Sequence, residues 1–126
     1  DTPLVPNASS ALVDLNFDPP FPSGPAFHAA KLVMDATFIA RFRPRVLSTS
    51  LALAWVAAGR RAAYLSDCLP QGNVHYAAAI SVCESAGCTI SDFRGQPVRA
   101  RGVGLVAAAD AETHKALLGM VRKHLG

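Results

Sequence analysis

At 126 residues the chain has the length of one domain with a proper core, and its composition, 51% hydrophobic and 17% charged, excludes a disordered segment. The net charge of +3 is too mild for a nucleic-acid footprint. Arg41, Arg43 and Arg45, interrupted by Pro44, read as a solvated or phosphate-facing basic turn. No run of about eighteen apolar residues occurs, so no membrane span is predicted.

Residues 1–10 (DTPLVPNASS) are turn-rich and read as an inter-domain linker or a truncated end. They show no basic-then-apolar leader, and Asn7-Ala8-Ser9 then reads as a chance glycosylation triplet. Ala11 to Phe17 alternates apolar and polar residues, which predicts a strand. The proline-rich stretch from Asp18 to Pro25 can be neither helix nor central strand, because proline lacks the N–H donor and locks φ. Phe27, Leu32, Met34, Phe38 and Ile39 are spaced as one face of an amphipathic helix over Ala26 to Phe42.

A short strand, Arg45 to Leu47, then reaches Ser48-Thr49-Ser50, a strong capping cluster for a helix from Leu51 to Ala58 that Gly59 closes. A strand at Ala62 to Ser66 and a loop from Asp67 to Asn73 follow. Next come a small-residue helix from Tyr76 to Ala86, with His75 just before it, Gly87 at its end, and a strand from Thr89 to Phe93. Val103 to Ala108 reads as a strand buried on both faces. Asp110 is placed to cap a last helix, Ala111 to Leu125, with Leu117, Leu118, Val121 and Leu125 on its apolar face. Strands and helices in alternation predict an α/β fold, a layered mixed sheet with helices.

Two places could carry chemistry. The hydroxyls and backbone N–H groups at Ser48-Thr49-Ser50 could hold a phosphate or a sugar hydroxyl, or could simply cap the helix. Asp67 and His75 flank the start of the alanine-rich helix, where a carboxylate and an imidazole could meet a polyol or a metal, or serve structure alone. Asp14, Asp18 and Asp92 are scattered over different elements, and His28, His114 and His124 are expected to face solvent or a helix end. Cys68, Cys83 and Cys88 lack C-x-x-C spacing and an accompanying histidine pair, so they read as reduced, largely buried thiols of a cytoplasmic protein. No complete catalytic constellation is present. A GxxxxGK[ST] loop and a GxSxG elbow are both missing.

Ser-Thr-Ser, WVAAGRRAAY (Trp55 to Tyr64), HYAAAISVCESAGCTISDFRG and GLVAAADAETHKALL (Gly104 to Leu118), in that order, resemble the C-terminal domain of inositol-monophosphatase-like proteins. The likeness covers essentially the whole chain from residue 11, and the order of the motifs is more specific than any one of them. It implies the C-terminal half of an αβαβα fold, occupying residues 11–126, from a magnesium-dependent, lithium-sensitive phosphomonoesterase. Small phosphorylated metabolites are the implied substrates, and a homodimer the implied assembly. The family's G-E-E and D-P-[IL]-D-G-T carboxylate motifs, which belong to an N-terminal metal-binding domain, do not occur here.

Carried over residue by residue, the resemblance sets Ser48 and Thr49 beside the substrate. Ser66 or Asp67 takes the place of the polyol-contacting acid. His75 stands where a metal-binding aspartate of a W-D-x-A-A-G segment would be, with Val74 in place of its tryptophan, and Mg²⁺, a hard cation, prefers oxygen to imidazole. The chain thus reads as the substrate-side half of a phosphatase, inactive alone, or alternatively as a degenerate domain used for binding or dimerisation.

Overall fold

A computed structural model describes residues 4–16, 29–47, 51–67, 74–98 and 104–124 of the chain. Among these residues the elements are, in order, β1 (Leu12–Asn16), α1 (Ala30–Val33), α2 (Ala36–Arg41), β2 (Arg43–Val46), α3 (Leu51–Ala57), β3 (Ala63–Ser66), α4 (Val74–Ala86), β4 (Thr89–Ser91), β5 (Leu105–Ala108) and α5 (Ala111–Arg122). The strands form one five-stranded sheet in the order β2-β1-β3-β5-β4. β1 runs parallel to both β2 and β3, while β5 is antiparallel to β3 and β4. The α/β layered mixed sheet expected from the alternation of elements is therefore what the chain forms.

Helices cover both faces of the sheet, and the alternation of side chains along each strand sorts the core into two bodies. Val13 and Leu15 of β1, Ala63 and Leu65 of β3, and Val106 and Ala108 of β5 pack with Leu32, Phe38, Leu117 and Val121 from α1, α2 and α5. Tyr64, Leu105 and Ala107 turn the other way, onto Ala52, Leu53, Val56 and Ala57 of α3 and Cys83 of α4. A strand with helices on both sides has no solvent face, so the polar alternates Asp14 and Asn16 are buried along with their apolar neighbours.

The single helix expected over Ala26 to Phe42 is, within the described residues, two. Asp35 leaves helical geometry (φ −86°, ψ 116°), and its side chain accepts from the N–H groups of Thr37 and Phe38, capping α2 afresh. Leu32 and Phe38 are fully buried as the spacing predicts, but Met34, at the break, is 86% exposed. Local capping outcompeted the longer helical run. β2 includes Pro44, which the edge of a sheet tolerates because the missing N–H has no ladder bond to lose there.

β4 stops at Ser91, short of Phe93. Asp92 folds back instead, its Oδ1 accepting from the N–H groups of Arg94 and Gln96. Phe93 is thereby tucked inward, fully buried, against Gly104, where the space and the positive φ (77°) admit no side chain. Asp110 caps α5 as expected, accepting from Thr113 N–H at 2.8 Å. That helix ends at Arg122, one turn earlier than the pattern of leucines suggests.

Candidate functional site at the carboxyl ends of the parallel strands

The three parallel strands end side by side. β1 ends at Asn16, whose register partner is Ser66, the last residue of β3, and Asp67 follows directly. Leu47 N–H donates to Leu15 O at 3.1 Å, which carries the chain beyond β2 along the same edge towards Ser48. After β1 the chain passes to α1 and α2 on one face of the sheet; after β3 it passes to α4 on the other. Connections that leave adjacent strand ends for opposite faces open a crevice between them. In α/β sheets that crevice, outside the carboxyl ends, is where ligands are bound.

The described side chains at this edge are polar and buried. Asn16 Nδ2 donates to Tyr64 Oη at 3.2 Å, with Asn16 3% and Tyr64 0% exposed. Asp67, 1% exposed, accepts from Ala29 N–H with both carboxylate oxygens, at 3.0 and 2.9 Å. That bond ties the end of β3 to the start of α1. Ser66 is fully buried beside it. Of the residues singled out in the sequence, Ser66 and Asp67 thus stand together with Asn16. Ser48 and Thr49 lie outside the described residues, and His75, the second residue of α4, is described in its backbone alone.

One step back along β1, Asp14 is buried beneath α3. Arg61 reaches it with Nε 3.2 Å from Oδ1, and the guanidinium lies 4.9 Å from the centre of the Trp55 ring. Burial pushes the Asp14 carboxyl above its ordinary range, and the Arg61 charge opposes that rise without cancelling it. Asp14 thus ties β1 to Arg61, just ahead of β3.

Asn16, Tyr64 and the Asp14–Arg61 pair escaped the sequence reading. The signal was present in LVDLN, where an asparagine closes a strand that another parallel strand joins in register. Only the pairing of β1 with β3 makes that end a site. His114, expected at solvent or a helix end, is instead partly buried with Nε2 2.7 Å from Ser91 Oγ, and burial lowers its pKa. His124 does lie at a helix end, 2.8 Å from Asp35 Oδ2, where it fastens α5 to the cap of α2.

Among the described residues no three His, Cys, Asp or Glu side chains come together to hold a metal ion. Asp67 is engaged by a backbone N–H and Asp14 by a guanidinium. The described donors therefore do not fit a magnesium centre, which needs several hard oxygen ligands in octahedral array. None of the described helices is long and apolar enough to cross a membrane.

Residues 19–125 match the profile of the inositol monophosphatase family. A search of curated proteins returned no match. Among solved structures, the chain is similar to an inositol monophosphatase from Anabaena (Nostoc) sp. PCC 7120, with 19% identity and a TM-score of 0.71, covering 98% of this chain and 48% of that one. An IMPase from Thermotoga maritima gives 19% identity and a TM-score of 0.67 over 100% of this chain and 46% of the other. A third, an IMPase/NADP phosphatase complexed with Mg²⁺ and phosphate, gives 15% identity and a TM-score of 0.63 over 94% and 41%. The chain spans a little under half the length of these proteins.

Proposed function

The chain belongs to the inositol monophosphatase family, and on that premise we propose that it is the substrate-side half of a magnesium-dependent phosphomonoesterase acting on a small phosphorylated metabolite. The observation that carries this reading is the convergence of Asn16, Ser66 and Asp67 at the switch in strand connections. In this reading Ser66 and Asp67 contact the sugar or polyol part of the substrate, Ser48 and Thr49 offer hydroxyls to it, and His75 stands at the position of the family's metal-binding aspartate. Asn16 and Tyr64 hold the end of β1 in place under them.

Mg²⁺ belongs to the proposal through the family and through the relative that binds it with phosphate. Hydrolysis assisted by two metal ions needs a set of carboxylates to hold them and to activate water. The described residues do not supply that set, so no step is assigned to a metal here. The proposal places those carboxylates in an N-terminal half, with residues 1–10 as the link to it, and residues 11–126 closing one wall of the cleft. Self-association in a cytoplasmic setting completes the reading; it is supported by the open sheet edge at β2, where Val46 is 56% exposed. Sedimentation as a strict monomer at high concentration would remove that part.

The deciding assay is Mg²⁺-dependent phosphate release from a panel of small phosphomonoesters. It is run on this chain alone and on the chain joined to an upstream half carrying the two carboxylate motifs. Release from the joined protein and none from the chain alone is expected. Absence of release from both sinks the enzymatic reading. The imidazole in place of the family's carboxylate at residue 75 favours a second reading, a non-catalytic binding or dimerisation domain, which that negative result would support.

A further inference from the structure

α4 ends in a geometry that brings two thiols together. Gly87 takes a left-handed φ of 97°, its N–H donates to Glu84 O at 3.1 Å, and Cys88 N–H donates to Cys83 O at 3.0 Å. This pair of bonds is the Schellman motif, which brings the side chains of the fourth-last helical residue and the second residue past the helix close together. In this chain both of those residues are cysteines. Both side chains pack into the core body under α3. Cys83 is fully buried and donates its S–H to Leu53 O at 2.9 Å; Cys88 is half-buried and within reach of solvent.

We propose that Cys83 and Cys88 form a peroxide-sensitive dithiol that closes to a disulfide across the end of α4. The two sulfurs have different chemistry. The neighbouring Cys83 side chain holds the Cys88 thiol below its ordinary pKa, whereas the neighbouring Cys88 and burial push the Cys83 thiol far up. Cys88 is accordingly the nucleophile. Its thiolate attacks the O–O bond of a hydroperoxide, forming a sulfenic acid and releasing water or an alcohol. Cys83 then attacks the sulfenic sulfur: the S–S bond forms, the S–O bond breaks, and hydroxide leaves with the Cys83 proton as water. Two thiols are oxidised and one peroxide is reduced. A thiol reductant reverses the change, as befits a redox-responsive pair in a reducing compartment.

The two glutamates of the chain, Glu84 and Glu112, make the test direct, because cleavage after Glu84 separates the two cysteines. In a Cys68→Ser chain, treated with hydrogen peroxide, alkylated, denatured and cut with a glutamate-specific protease, residues 1–84 and 85–112 should remain covalently joined until reduced. Cys83→Ser in the same background should leave Cys88 as a sulfenic acid that dimedone captures, while Cys88→Ser should leave Cys83 unreacted. Separated fragments carrying sulfinic or sulfonic acid at Cys88, or fragments joined solely through a second chain, would overturn the proposal.

Discussion

The two faces of the sheet are built from different materials. The face under α1, α2 and α5 is filled by large apolar side chains, among them Leu15, Leu32, Phe38, Phe93 and Leu117, all fully buried. The face under α3 and α4 mixes small side chains (Ala52, Ala57, Ala107, Cys83) with Leu53, Val56 and Leu105, and among the described residues Tyr64 is its one fully buried ring. The buried polar residues Asp14 and Asn16 point to that second side, and the thiol pair lies there as well. The difference teaches where each task is done. Large apolar area removed from water stabilises the domain, and the thinner, polar face leaves hydrogen-bonding groups at the strand ends where a ligand could meet them.

The largest expected effect is on the apolar face. Phe38→Ala removes a fully buried ring whose centre lies 5.6 Å from that of Phe42, and should cost about 3–5 kcal/mol in urea unfolding. A loss below about 1 kcal/mol would mean that the two faces share the load more evenly than their composition says. Gly104→Ala comes next. Its new methyl would meet the Phe93 ring, and its φ of 77° is unfavourable for any residue with a Cβ, so about 1–3 kcal/mol should be lost.

Tyr64→Phe probes the other face. Removing the hydroxyl that accepts from Asn16 should cost only about 1 kcal/mol in stability. If the strand ends are the working edge, the same change should lower kcat/KM of the joined protein in the phosphate-release assay several-fold more than Phe38→Ala does at a temperature where both are folded. The reverse order would break the division between the faces.

The smallest effects lie in the pH dependence of the apolar face. Asp35 is held well below its ordinary pKa of 3.8, first by its hydrogen bond with His124, with Phe38 N–H, Lys123 and Thr37 N–H adding to it. A carboxyl with a depressed folded-state pKa contributes stability that is complete above 3.8 and is lost as the pH falls below it. Asp35→Asn should therefore be less stable at neutral pH and show a flatter acid limb below 3.8 in pH-dependent denaturation. His114 acts in a separate window. Burial lowers its pKa from 6.5, so the unfolded chain takes up the proton first and stability falls as the pH drops below 6.5. His114→Asn should remove that slope and leave the Asp35 limb intact.

Much of this was legible in the residues. The alternation in LVDLN predicted β1, Asp110 announced α5, Gly87 marked the end of α4, and the unbroken apolar run to Ala108 foretold the doubly buried β5. These features are local, set by side-chain period, caps and backbone sterics within a few residues. The break at Asp35 is also local: the apolar spacing predicts one helix, and the capping aspartate divides it in two.

The sequence by itself determined most of the elements, their alternation and the resemblance of four motifs in order. Tertiary structure alone decided that Asp14 is buried against Arg61, that Asn16 meets Tyr64 and stands level with Ser66, and that Asp67 reaches back to Ala29. Those pairs are 38 to 50 residues apart in the chain, too far for any local period to link. They exist because β1 lies between two parallel strands that come later in the sequence, and a strand's partners are chosen by packing, not by spacing.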